Sequence, residues 1–144
     1  MEVRCQCHSV QFTTPTPKPL ALYVCHCGQC RLQTGSAFGT SAIFPKFPLP
    51  AEQTLACYAR LTPSGDTLHC YFCKNCGTRV LHTTPTRNVV SVKGGCIRGL
   101  DWSTAIHVWV KTAMVPIPEG CERHDEDSSS DSSSAYGAHQ AALD

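Results

Sequence analysis

The sequence predicts a mostly-β domain of short strands held together by metal. Three observations carry that expectation. Short β-favouring runs recur between proline- and glycine-rich breaks, no stretch keeps a helical apolar period over three turns, and eleven of the 144 residues are cysteines. The first run, Val10-Gln11-Phe12-Thr13, alternates and stops at Pro15, Pro17 and Pro19. Residues 20–24 lead into a cysteine cluster, and residues 41–44 are cut off by Pro45, Pro48 and Pro50. Residues 55–59 end before Pro63-Ser64-Gly65-Asp66, a turn sequence that pairs proline with a residue tolerant of positive φ. Further strands are expected at residues 68–72, 79–83, 89–92 and 106–110, with one or two short helical turns after Cys27 and around Leu100-Asp101-Trp102.

The length fits one domain, placed at residues 1–121, followed by a tail over residues 122–144. From Asp125 the chain runs through alternating acids and serines with almost nothing to bury, so the tail is expected to be disordered. No run approaches the roughly 18 apolar residues of a membrane span. The opening Met1-Glu2-Val3-Arg4-Cys5-Gln6 lacks the apolar stretch of a secretory signal. The expected setting is therefore the reducing cytoplasm, where clustered cysteines serve as metal ligands more often than as disulfides. Charge is unevenly spread. Eleven of the twelve Lys and Arg lie in residues 1–118 against Glu2, Glu52, Asp66 and Asp101, while residues 119–144 hold Arg123 against seven acids. A basic body suits a small anionic partner, and the absence of a basic run disfavours nucleic acid.

Three cysteine spacings carry chemistry. Cys5-Gln6-Cys7 is a C-x-C pair, Cys25-His26-Cys27-Gly28-Gln29-Cys30 is C-x-C-x-x-C, and Cys73-Lys74-Asn75-Cys76-Gly77 is a C-x-x-C-G knuckle. Thiolates are soft ligands, and a tetrahedral Cys₄ shell is a common structural zinc site. The C-x-C pair and the knuckle together supply four sulfurs. The remaining three match a zinc with one open position, whose net charge of −1 favours holding an added thiol as thiolate over polarising a carbonyl. Spacing alone leaves alternatives: Cys70 and Cys73 compete with Cys73 and Cys76, and Cys57, Cys70, Cys96 or Cys121 would close the three-sulfur set. Cys57 reads as a small core residue in an apolar strand.

In order and spacing, Cys5-x-Cys7, Cys25-His26-Cys27-x-x-Cys30-Arg31, Thr34-Gly35-Ser36-Ala37-Phe38 and Phe72-Cys73-x-x-Cys76-Gly77 resemble the glutathione-dependent formaldehyde-activating enzyme family, of a fungal type, over roughly residues 4–120. The resemblance implies a β-tent of coiled antiparallel sheets, a fold shared with a Rab-binding exchange factor and a centromere protein. It implies two zinc ions: a structural one on Cys5, Cys7, Cys73 and Cys76, and a catalytic one on Cys25, Cys27 and Cys30. It also implies a carbon–sulfur lyase joining glutathione to formaldehyde, with glutathione or a glutathione adduct as partner and no membrane. His8 departs from the family's glycine after the first C-x-C, and few residues precede Cys5. Both departures imply a missing first strand or a looser four-cysteine site.

Outside the cysteines, Arg31 and Ser36 are candidate substrate contacts, Arg31 for a carboxylate and Ser36 as a hydrogen-bonding group. His26, between two ligands, is expected to point away from the metal by strand alternation. His82 and His107 read as half-buried strand histidines, and no protein base is assigned. Two functions compete: a lyase in which a zinc-held thiolate adds to or leaves an electrophilic carbon, and a binding module stapled by two closed zinc sites.

Overall fold

A computed structural model describes residues 1–50 and 52–126. The strands are β1 (Glu2–Arg4), β2 (Gln11–Thr13), β3 (Ala21–Cys25), β4 (Gly39–Pro45), β5 (Leu55–Leu61), β6 (Thr67–Cys73), β7 (Arg79–Thr83), β8 (Val89–Lys93) and β9 (Ile106–Val108), and the helix α1 (Gly28–Thr34) follows β3. The fold is mostly β, as expected. A seven-stranded sheet runs β5-β6-β7-β8-β4-β3-β9, and β1 and β2 form a separate antiparallel pair. Among the described residues, no helix is long and apolar enough to cross a membrane.

Alternation gives the large sheet two buried faces. Leu22, Ala42, Phe44, Val90 and Val92 line one, packed with Val3 of β1, with Val10 just before β2, and with Cys96, Ile97 and Ala105. On the other face Tyr23, Cys25, Ile43 and Val108 pack with Cys27 and Cys30 beneath α1. Across β4, β8 and β7 this second face continues through cross-strand partners as Ser41 opposite Lys93 and Ser91 opposite His82. All four of these polar residues are buried.

Several boundaries differ from expectation for physical reasons. The first strand is present: β1 pairs with β2 across Val3↔Phe12 and Val3 bridges Ile97, so three residues gain strand geometry from tertiary pairing. The run expected at residues 106–110 stops at Val108 because Trp109 turns left-handed with φ 59°. The helical turn expected near Trp102 is a 3₁₀ turn, Trp102–Thr104, whose first amide deficit is met by the Asp101 carboxylate accepting from Ser103 N at 3.0 Å. One pairing, β3 with β9, is parallel. Cys57 is exposed and not a core residue, because β5 is an edge strand with a largely exposed middle. The tail expected from residue 122 begins within bonded chain. His107 N donates to Glu122 O, His124 N to His107 O, and Trp109 N to Glu126 O, so residues 122–126 run beside β9. The remainder of the expected tail, residues 127–144, lies outside the described residues.

Candidate metal centres

Two groups of cysteine sulfurs stand out, Cys5 with Cys7, Cys73 and Cys76, and Cys25 with Cys27 and Cys30, each with its sulfurs within 4.8 Å of one another. A tetrahedral zinc–thiolate shell with bonds of about 2.3 Å separates its sulfurs by about 3.8 Å. Cys5 Sγ lies 3.6 Å from Cys7 Sγ, and Cys7 Sγ lies 3.7 Å from Cys73 Sγ, so this donor set fits such an ion.

The four-cysteine group joins two similar turns. After Cys7 comes His8 at φ 64°, and after Cys76 comes Gly77 at φ 75°. Each left-handed residue turns the chain back so that its amide bonds the first cysteine's carbonyl: His8 N to Cys5 O at 3.2 Å and Gly77 N to Cys73 O at 2.9 Å. The next residue supplies a hydroxyl. Ser9 Oγ lies 3.0 Å from Cys7 Sγ and 3.1 Å from Cys73 Sγ, and Thr78 Oγ1 lies 3.1 Å from Cys76 Sγ. The Ser9 hydroxyl and amide hold the Cys7 thiol down at about 5, and the Thr78 hydroxyl and amide hold Cys76 at about 7. Burial pushes Cys5 the other way. His8 thus adopts at the first turn the left-handed conformation that Gly77 adopts at the second.

The three-cysteine group sits where β3 passes into α1. Cys25 ends the strand, and Cys27 caps the helix by accepting from Cys30 N at 3.3 Å. All three sulfur-bearing residues are buried. The Cys25 and Cys30 thiols, followed by the amides of Cys30 and Gln29, stabilise the thiolate of Cys27 and lower its pKa. Cys25 moves up in return, its hydrogen bond to Cys27 being the largest cause. Gly39 of β4 lets the helix approach: a Cβ there would stand 3.1 Å from Cys30 Cβ. Among the described residues no fourth cysteine, histidine or acid joins these three at that separation. Cys70 is buried on β6 apart from both groups, the Cys96 thiol faces Arg79 O at 3.6 Å, and Cys121 faces Pro118 O at 3.1 Å.

Two hollows lie nearby, and Cys25, Cys27 and Cys30 line neither of them. One, of about 670 Å³, is walled by Arg4, Arg79, Arg98 and Lys93 with no acid among its lining residues, and reaches Cys5, Cys76 and Gln33. Lys93 Nζ is buried there without a hydrogen-bond partner; burial lowers its pKa while the charges of Cys30, Cys70 and Cys25 act to raise it. Gln33 Nε2 reaches Cys30 Sγ at 3.6 Å. Four of the twelve basic residues, scattered in sequence, are therefore gathered in space. The second hollow, of about 520 Å³, is lined by Val24, Trp102, Val115, Pro116 and Pro118 together with His26 and His107. His26 points away from the cysteines, and its Nε2 lies 3.1 Å from His107 Nδ1. Burial depresses both histidines. Arg31 and Ser36, the expected substrate contacts, line neither hollow; Ser36 is exposed, its amide bonded to Arg31 O at 3.3 Å. A larger hollow of about 730 Å³ beside Leu20 and Leu100 contains no cysteine in its wall.

Sequence reasoning missed Ser9 and Thr78. The signal was present, a hydroxyl residue two positions after the last cysteine of each turn.

Comparison with known proteins follows the same lines. A profile described as glutathione-dependent formaldehyde-activating enzyme matches residues 1–112. Among solved structures, a crystal structure of a Rhodobacter sphaeroides protein matches at TM-score 0.55 and 16% identity, covering 75% of this chain and 100% of that one, which shows a shared fold. No curated protein sequence matches the chain.

Proposed function

Because the chain belongs to the glutathione-dependent formaldehyde-activating enzyme family, we propose that it is a zinc-dependent carbon–sulfur lyase acting on a glutathione or other thiol adduct. In this reading Cys25, Cys27 and Cys30 hold the reactive zinc, and Cys5, Cys7, Cys73 and Cys76 hold a structural one. The observation that carries it is the inequality of the two groups, four sulfurs against three. Zinc on three thiolates, when bound, supplies a position in which an added thiol is ionised near neutral pH.

The chain's own residues do the rest. Cys27 orients one sulfur through its cap bond to Cys30 N, and Gln33 donates to Cys30 Sγ. Lys93, buried on the same sheet face, interacts electrostatically with Cys30 and Cys25, whose charges favour its ammonium form against the effect of burial. The basic hollow offers an anionic thiol a seat, and its wall includes Gln33, the donor to Cys30 Sγ. No side chain is needed as a base, because metal ligation ionises the thiol.

The test is zinc content and thiol-dependent turnover of formaldehyde, followed by cobalt replacement. Two metals per chain are expected, and added glutathione should change the cobalt spectrum of one site while sparing the other. If neither site responds to any thiol, the chain is a binding module with two closed metal sites.

A further inference from the structure

The basic and apolar hollows meet at Phe38, Thr40 and Gly95, which line both. Resting on the thiol-adduct reading above, we propose that together they seat an adduct whose sulfur substituent is a bulky apolar group, aromatic or branched alkyl, in place of the single carbon of formaldehyde. The carboxylates of the thiol would lie against Arg4, Arg79 and Arg98, and the substituent against Trp102, Val115 and Pro116.

Three observations converge on this placement. The basic hollow holds four cations and no acid, and one of them, Lys93, is 6% exposed with an unpartnered Nζ. A buried ammonium without a partner is costly, and an anion arriving in the hollow would relieve that cost. Thiolates of the adjoining four-cysteine group would account for part of the positive charge, but Arg98 is exposed and available to a ligand. Next, Gln33 lines this hollow and donates to Cys30 Sγ at 3.6 Å, so one side chain links its wall to the three-cysteine group. Finally, the adjoining hollow is walled mainly by apolar side chains and encloses about 520 Å³. A one-carbon substituent occupies little more than the ~30 Å³ share of a water molecule and would leave that wall unfilled. The hydrogen-bonded His26 and His107 are its principal polar groups, and they provide a partner for the carbinol oxygen.

The implied reaction balances without a co-reactant. The thiol sulfur bonds to the aldehyde carbon, the carbon–oxygen double bond becomes single, and the thiol proton ends on that oxygen. Cleavage is the reverse.

Trp102 reports directly on the apolar end. Zinc-loaded Trp109→Phe protein, which leaves Trp102 as the emitting tryptophan, is titrated with S-methylglutathione and S-benzylglutathione, thioethers that have no thiol to ionise. S-benzylglutathione should shift Trp102 emission and bind at least tenfold more tightly. Val115→Phe, which fills the apolar end without adding a tryptophan, should erase that preference, and Arg98→Ala should weaken both ligands by a similar factor. Equal affinities, or no binding of either thioether, overturn the proposal; unchanged affinity in Arg98→Ala overturns the placement of the anionic end. These failures are distinct from failure of the lyase reading, in which glutathione itself leaves both cobalt sites unchanged.

Discussion

Cys5, Cys7, Cys73 and Cys76 come from two turns 66 residues apart, partly open to solvent and bonded by hydroxyls, whereas Cys25, Cys27 and Cys30 come from one strand–helix junction and are buried. In the first group every sulfur has a fixed place in a turn that closes on itself, and the sulfurs join parts of the chain that share no strand pairing. In the second, the sulfurs are held by a helix already packed on β4, and their number stops at three. A group that ties distant segments together has its consequence in folding. One that is placed locally on a rigid face is not needed to tie segments together, which suits the reactive role proposed for it.

Breaking the larger group should have the largest effect. Cys73→Ser removes one of four ligands from a site whose metal contributes on the order of 10 kcal/mol in small zinc modules, so the variant should lose its cooperative melting transition and bind no more than one zinc. A soluble, cooperatively folding Cys73→Ser protein with two zincs would end the assignment. In the smaller group, Cys27→Ser should abolish thiol-dependent turnover and one equivalent of zinc while the protein stays folded. Cys27→Ala should do the same and cost about 1 kcal/mol more, since alanine cannot accept the capping bond from Cys30 N. Equal melting temperatures for the two variants would show that the cap bond contributes little.

The sheet face under the three-cysteine group differs in another respect, since it buries His82 with both ring nitrogens unpartnered. Burial drives its pKa well below 6.5. The unfolded chain takes up that proton as pH falls below about 6.5 while the folded chain does not, so stability declines with acid. His82→Leu should flatten this acid limb between pH 7 and 5; urea titrations at several pH values with identical slopes for both proteins would exclude it. The smallest effect belongs to the first turn. His8→Gly should stabilise by about 1 kcal/mol, because only the histidine meets a steric cost at φ 64°. A loss of stability would show that the His8 ring has a role beyond the turn.

The C-x-C, C-x-C-x-x-C and C-x-x-C segments were legible because ligand spacing is a local property, whereas spacing left Cys70 as a rival to Cys76 and only the family resemblance chose between them. The strand β7 was found at its observed bounds because its residues are β-favouring and stop at Thr84-Pro85. What was not legible depended on partners distant in sequence. Glu2-Val3-Arg4 is too short to show alternation and becomes a strand by pairing with Phe12 and Ile97. Cys57 carries the apolar pattern of a core strand, but only the sheet order shows that β5 is an edge. Arg4, Arg79, Lys93 and Arg98 look scattered because the hollow that gathers them is built from both ends of the domain. Trp109 gives no hint of its left-handed backbone, since tryptophan rarely adopts one.

The 66-residue separation of Cys7 and Cys73 also bears on the order in which metal is acquired. Closing so long a loop costs roughly 2 kcal/mol more chain entropy than closing the five-residue interval from Cys25 to Cys30, by the logarithmic dependence on loop length. The short C-x-C-x-x-C segment can therefore chelate an ion while the chain is still unstructured. Affinity for the denatured chain subtracts from the stabilisation a ligand gives the native one. An ion shared between Cys5, Cys7, Cys73 and Cys76 has no such early refuge, so nearly all of its binding energy favours the native state. Newly synthesised chains would fill the three-cysteine position first, and an ion on the four-cysteine group would serve as the latch that makes folding final.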